Sequence, residues 1–112
     1  MEWIQLTSVQ DLDQVVQDSS KLPVLLFKHS TRCSISSTAL NRLERGWDQN
    51  SGIKTYFLDL IRYREVSNQI ATTFGVAHQS PQALVIKEGE CIYDSSHMSI
   101  SAIDILKTET SS

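Results

Sequence analysis

Lys28 to Leu40 reads KHSTRCSISSTAL and sets Cys33 between Arg32 and Ser34, with Ser36 three positions further on. The run before it, PVLLFKH, is short, apolar and rich in strand formers, so it reads as a buried strand. From Ser34 onward Ile35, Ala39, Leu43 and Trp47 recur every four residues, one face of an amphipathic helix. Cys33 therefore falls at a strand-to-helix corner. A helix start has unpaired backbone N–H groups and the positive end of the helix dipole, and both favour a thiolate over a thiol. Arg32, with Lys28 and His29 a few residues back, is expected to reinforce that preference. The thiolate is the attacking species in disulfide exchange, so the position suits a nucleophile. A free cysteine can equally be a packing residue, but the polar setting HSTRCSISS argues against a core position. Cys91, between Glu90 and Ile92, has neither a polar cluster nor a helix start and reads as structural.

The elements that must position this corner can be read from periodicity. In TSVQDLDQVVQD, Val9, Leu12, Val15 and Val16 repeat at helical spacing, with Ser8 and Asp11 placed as a capping box. GIKTYFLDL reads as a second strand. Val66, Ile70 and Phe74 make another helical face, and Gly75 stands where a left-handed cap belongs. QALVIKEGECIYDSS reads as two strands joined by a tight turn at Glu88 and Gly89. SISAIDILK offers Ile100, Ile103 and Leu106 to a closing helix capped by Ser99, and EWIQLT allows a short first strand. Pro81 precedes an apolar strand; a trans entry and a cis Ser80–Pro81 bond both fit there. Strands alternating with helices predict an α/β domain: a partly parallel central sheet of four to five strands, covered on both faces.

With 112 residues the chain is sized for one domain with a single core. Residues 1–107 are expected to form it, and 108–112 a polar tail. A formal net charge of -3 carries no basic footprint for nucleic acid or for an acidic membrane surface. No apolar run approaches the roughly 20 residues of a membrane span. MEWIQLTS does not look like a secretory leader, so the cytoplasm is the expected compartment. There Cys33 and Cys91 should stay thiols rather than form a permanent disulfide. His29 and Cys33 lack the further grouped ligands that a metal site requires, so no metal is expected.

KHSTRCSIS, LIRYREVSNQIA, FGVAHQSPQ, SPQALVI and SSHMSI together resemble the monothiol bacilliredoxins, over residues 1 to about 107. These are thioredoxin-like proteins of Gram-positive bacteria that act on mixed disulfides of bacillithiol, a glucosaminyl-malate cysteine conjugate. The resemblance implies a thioredoxin-like fold and a catalytic Cys33. It implies bacillithiol as thiol co-substrate, no bound cofactor, and bacillithiolated proteins as clients. In dithiol thioredoxins a second cysteine stands three residues after the first; here that place is Ser36. Ser36 then either donates a hydrogen bond to the sulfur, a role shared with Arg32, or faces solvent. Substrate contacts would fall to Thr31, Ser34, Arg62, Arg64, Ser80, Pro81, Ser96 and His97, with His97 equally placed to cap a helix start. Two departures stand out. Ser34 replaces the family's usual proline, and Phe27 occupies the place of thioredoxin's buried aspartate, which helps deprotonate a second thiol.

Two other readings compete. An iron–sulfur carrier of the monothiol glutaredoxin kind also has serine three residues after cysteine, but with Gly-Phe between them where this chain has Ser34 and Ile35. A non-catalytic binding module would keep the fold and leave Cys33 incidental.

Overall fold

The computed structural model describes residues 1–109. In chain order the elements are β1 (Ile4–Gln5), α1 (Asp11–Asp18), β2 (Val24–His29), α2 (Ser34–Gly46) and β3 (Lys54–Asp59). They continue with α3 (Arg64–Phe74), β4 (Gln82–Lys87), β5 (Glu90–Ser96), a 3₁₀ turn (His97–Ser99) and α4 (Ala102–Lys107). One five-stranded sheet runs in the order β1-β3-β2-β4-β5. β1, β3 and β2 are parallel, and β4 and β5 antiparallel. This is the thioredoxin-like α/β fold with a mixed sheet. No helix among the described residues is long and apolar enough to cross a membrane.

All six residues of β2 are buried, as a central strand covered on both faces requires. Alternation divides them. Val24 and Leu26 join Leu12, Val15, Val66 and Ile70 under α1 and α3. Leu25 and Phe27 join Ala39, Leu43 and Ile105 under α2 and α4. The capping box forms: Ser8 Oγ accepts the Asp11 N–H at 3.3 Å, and Asp11 Oδ2 accepts the Ser8 N–H at 3.2 Å. Gly75 closes α3 at φ 64°, and Glu88 and Gly89 both take positive φ in the two-residue hairpin loop.

Three expectations about helix faces are corrected. In α2 the inward stripe is Ser36, Ala39 and Leu43, while Ile35 is 44% exposed. Val16 likewise faces outward from α1. At the carboxyl end the cap is Ser101, whose Oγ accepts the Asp104 N–H, and Ser99 belongs to the 3₁₀ turn. Starting that helix two residues later brings Ala102 and Ile105 inside and leaves Ile103 65% exposed. One residue of shift turns a helix by about 100°, so the buried set changes with the start. Of the polar tail, Thr108 is buried with its hydroxyl donating to Ile105 O, and the Glu109 carboxylate accepts the Gly52 N–H. Residues 110–112 lie outside the described residues.

Candidate active site

Strand register gathers most of the expected site at one end of the sheet. His29 pairs with Asp59, Lys28 with Gln82, and Gln82 with Ser96. Hence the turn Thr31–Cys33 after β2, the Ser80–Pro81 entry to β4, the Ser96–His97 exit from β5 and the start of α3 after β3 all emerge together. This is the carboxyl end of the parallel strands, where open α/β sheets bind ligands.

Cys33 is the N-cap of α2, free and partly exposed. Its N–H bonds to Ser30 O at 3.2 Å, which closes the corner, and its carbonyl accepts the Ser37 N–H. The amides of Ser34, Ile35 and Ser36 precede that first intrahelical bond and sit at the positive end of a 13-residue helix. Thr31, Arg32 and Ser34 are exposed around the sulfur.

Ser36 takes neither of its expected roles. Its side chain is fully buried, so it does not face solvent. Its Oγ accepts the Ser30 N–H at 3.0 Å and lies 2.7 Å from His29 Nδ1, not bonded to the sulfur. With the His29 proton on Nε2, the Ser36 hydroxyl donates to Nδ1 and is fully used. The His29 ring packs against Phe27 and Phe57. Burial lowers its pKa, against an opposing pull from Asp59. Lys28 is also withdrawn from the sulfur. Side chains alternate along β2, and its ammonium lies buried on the opposite face, bonded to His78 and Gln82. Of the three expected cations, Arg32 alone is exposed.

The Ser80–Pro81 bond is cis. Pro81 has no N–H, and its carbonyl accepts the His97 N–H at 3.1 Å. That same bond ties His97, at φ 54°, to the Pro81 segment. Ser96 opens onto a hollow shared with Gln79, Gln82 and Asp94. The two arginines around the start of α3 separate. Arg62 lies over the Tyr63 ring and lines a hollow with Thr7, Ser8 and Val9, on the side toward α1. Arg64 acts electrostatically on His78, toward the Pro81 segment. Among the described residues no group of three or more His, Cys, Asp or Glu side chains could hold a metal ion.

The family model of the monothiol bacilliredoxin BrxC matches residues 4–105. The chain belongs to the monothiol bacilliredoxin family. Among solved structures, a protein described as a candidate oxidoreductase with a thioredoxin fold is 28% identical with a TM-score of 0.81, covering 96% of this chain and 92% of that one. A Malassezia sympodialis thioredoxin is 14% identical with a TM-score of 0.78, covering 98% and 92%. A Schistosoma mansoni thioredoxin is 20% identical with a TM-score of 0.71, covering 97% and 99%. At those identities the two thioredoxins establish the fold alone. Bacilliredoxin membership together with this fold supports thiol redox activity.

Sequence reasoning missed how this bacilliredoxin uses Lys28, His29, His78 and Gln82. Lys28 was visible as a charge inside an otherwise apolar strand run, a signal of a buried polar contact. His78 and Gln82 gave no such signal, because they lie 50 and 54 positions away from Lys28.

Proposed function

We propose that the protein removes bacillithiol from mixed disulfides on client proteins in the cytoplasm, as a monothiol thiol–disulfide oxidoreductase. The carrying observation is a free, partly exposed Cys33 at a helix N-cap with no second sulfur able to reach it. Cys91 pairs with Ile86, four residues along β4 from Gln82, so it lies roughly 13 Å or more toward the far end of the sheet. A disulfide needs Cα atoms within about 7 Å. Cys91 is also held as a thiol, since burial raises its pKa ahead of the smaller effects around it.

The Cys33 thiolate attacks the bacillithiol sulfur of the mixed disulfide. The client thiolate leaves, and Cys33 holds bacillithiol in a new disulfide. A second bacillithiol thiolate then attacks that sulfur and departs as bacillithiol disulfide, restoring the Cys33 thiolate. Ser36 cannot do this step: its hydroxyl is buried, bonded on both sides and a poor nucleophile. Bacillithiol carries the two carboxylates of malate, and in this reading Arg32 and Arg64 receive them through their guanidinium groups. The Ser80 N–H is the backbone donor for the bound thiol, flanked by Thr31 and Ser34.

Mass spectrometry tests the scheme. Oxidised bacillithiol should add one bacillithiol unit to the protein; Cys33→Ala should abolish the adduct and Cys91→Ala should leave it. Release of the adduct should accelerate in proportion to added bacillithiol. An adduct that survives Cys33→Ala, or one that collapses into a Cys33–Cys91 disulfide, would sink it.

A further inference from the structure

Lys28 is fully buried on β2, and among the described residues no carboxylate pairs with it. Its Nζ donates to His78 Nδ1 at 2.7 Å and to Gln82 Oε1 at 3.0 Å, both uncharged acceptors. A buried ammonium of this kind is costly, and replacing it by an apolar side chain of similar volume is often neutral or stabilising. Its value therefore lies in what it holds.

Both partners belong to the segment that leads into the site. Gln82 is the first residue of β4, directly opposite Lys28 in the strand register. Its Oε1 also accepts the Gln79 N–H at 3.4 Å, and its Nε2 donates to Ala77 O at 3.1 Å. His78 joins the ammonium directly. Ala77, His78 and Gln79 are thus all fastened to one buried charge, and the next two residues are Ser80 and Pro81.

We propose that Lys28 is a positioning residue for disulfide exchange at Cys33: through His78 and Gln82 it fixes the Ala77–Pro81 segment, so that the Ser80 backbone meets the incoming sulfur in one place. The proposal rests on the disulfide-exchange reading given above. Fixing a binding group in advance removes an ordering cost from the reaction step. The anchor also requires a neutral His78, since Nδ1 accepts only when unprotonated. The groups facing His78 are Lys28 from β2 and Arg64 and Ser67 from α3. Burial first, then Lys28 and Arg64, hold its pKa below the ordinary value. Below that pKa two cations would face each other at the anchor, and the segment should loosen.

The test compares the wild type with Lys28→Met and His78→Asn. Four quantities are read: the thermal midpoint, Cys33 alkylation by iodoacetamide, the rate of reaction with oxidised bacillithiol, and deuterium uptake of a peptide covering residues 75–82. Lys28→Met should keep its midpoint and alkylate within about twofold of the wild type, yet exchange about tenfold more slowly with faster deuterium uptake. His78→Asn, whose Oδ1 can replace Nδ1 as acceptor, should exchange within about threefold of the wild type at pH 7.5. Its rate should also gain on that of the wild type as pH falls, because asparagine cannot take up a proton while loss of the Cys33 thiolate is common to both. Exchange within about twofold of the wild type in Lys28→Met overturns the proposal. Alkylation and exchange falling in step overturn it too, because Lys28 would then act on the sulfur itself. Oxidised glutathione is assayed alongside. If the wild type exchanges with glutathione but not bacillithiol, the substrate reading fails while the Lys28→Met ratio still decides the anchor. Reaction with neither overturns both.

Discussion

Ser36 stands three residues after Cys33, and its hydroxyl is tied on both sides, to the Ser30 N–H and to His29 Nδ1. Ser36→Ala leaves both groups buried without a partner and should cost about 2 kcal/mol in urea unfolding. Ser36→Cys should convert the chemistry. Mild oxidation should then join Cys33 to the introduced thiol in an intramolecular disulfide, read as a loss of two hydrogens by mass spectrometry, and a bound thiol should leave without external thiol. The absence of a second sulfur in the motif was legible from spacing alone. What the hydroxyl does instead was not, because His29 reaches it only through the turn of the chain at Ser30.

At the scale of elements, α1 is fastened to β3 by Asp18, which accepts from Tyr56 Oη and pairs with Lys54 Nζ at 2.9 Å. The Tyr56 hydrogen bond, ahead of the Lys54 and Gln14 contacts, holds the Asp18 carboxyl down at about 2. A folded-state pKa below the unfolded value of about 3.9 gives stability that is present above that value and lost as pH falls through about 2. Tyr56→Phe should therefore flatten the loss of stability between pH 5 and pH 2.5, measured by urea unfolding at each pH. The amino end of α1 carries the capping box that Ser8 and Asp11 spell out, and Gly75 and the Glu88–Gly89 turn also stand where the sequence puts them. These features are local: a few consecutive residues supply both partners. The faces of α2 and α4 were misjudged because they depend on the helix start, which the 3₁₀ turn and the Ser101 cap fix.

For the molecule as a whole, one sheet separates the reactive end from the hairpin end that carries Cys91, and Lys28 sits fully buried within it. Burial brings the Lys28 pKa from 10.5 down to about 8. Between those values the unfolded chain holds a proton that the folded protein has released, so the Lys28 contribution to stability rises with pH. The thermal midpoint of the wild type should therefore gain on that of Lys28→Met between about pH 8 and 9.5. Tyr56, whose pKa burial raises, is common to both proteins and drops out of the comparison. A gap between the two proteins that does not change over this range would show that Lys28 is charged and solvated there.

By itself the sequence determined which cysteine stands at a helix start, the lack of a second sulfur in that motif and the class of fold. Each of these depends on neighbours in the chain or on the two periods of secondary structure. The tertiary structure decided which charges attend the sulfur. Lys28 and His29 are adjacent in sequence, but strand alternation sends them to opposite faces, where crossover connections supply partners from distant positions. Proximity along the chain is therefore a poor guide to proximity at this site, and only the assembled sheet shows that Lys28 and His29 turn away into the core while Arg32 stays exposed.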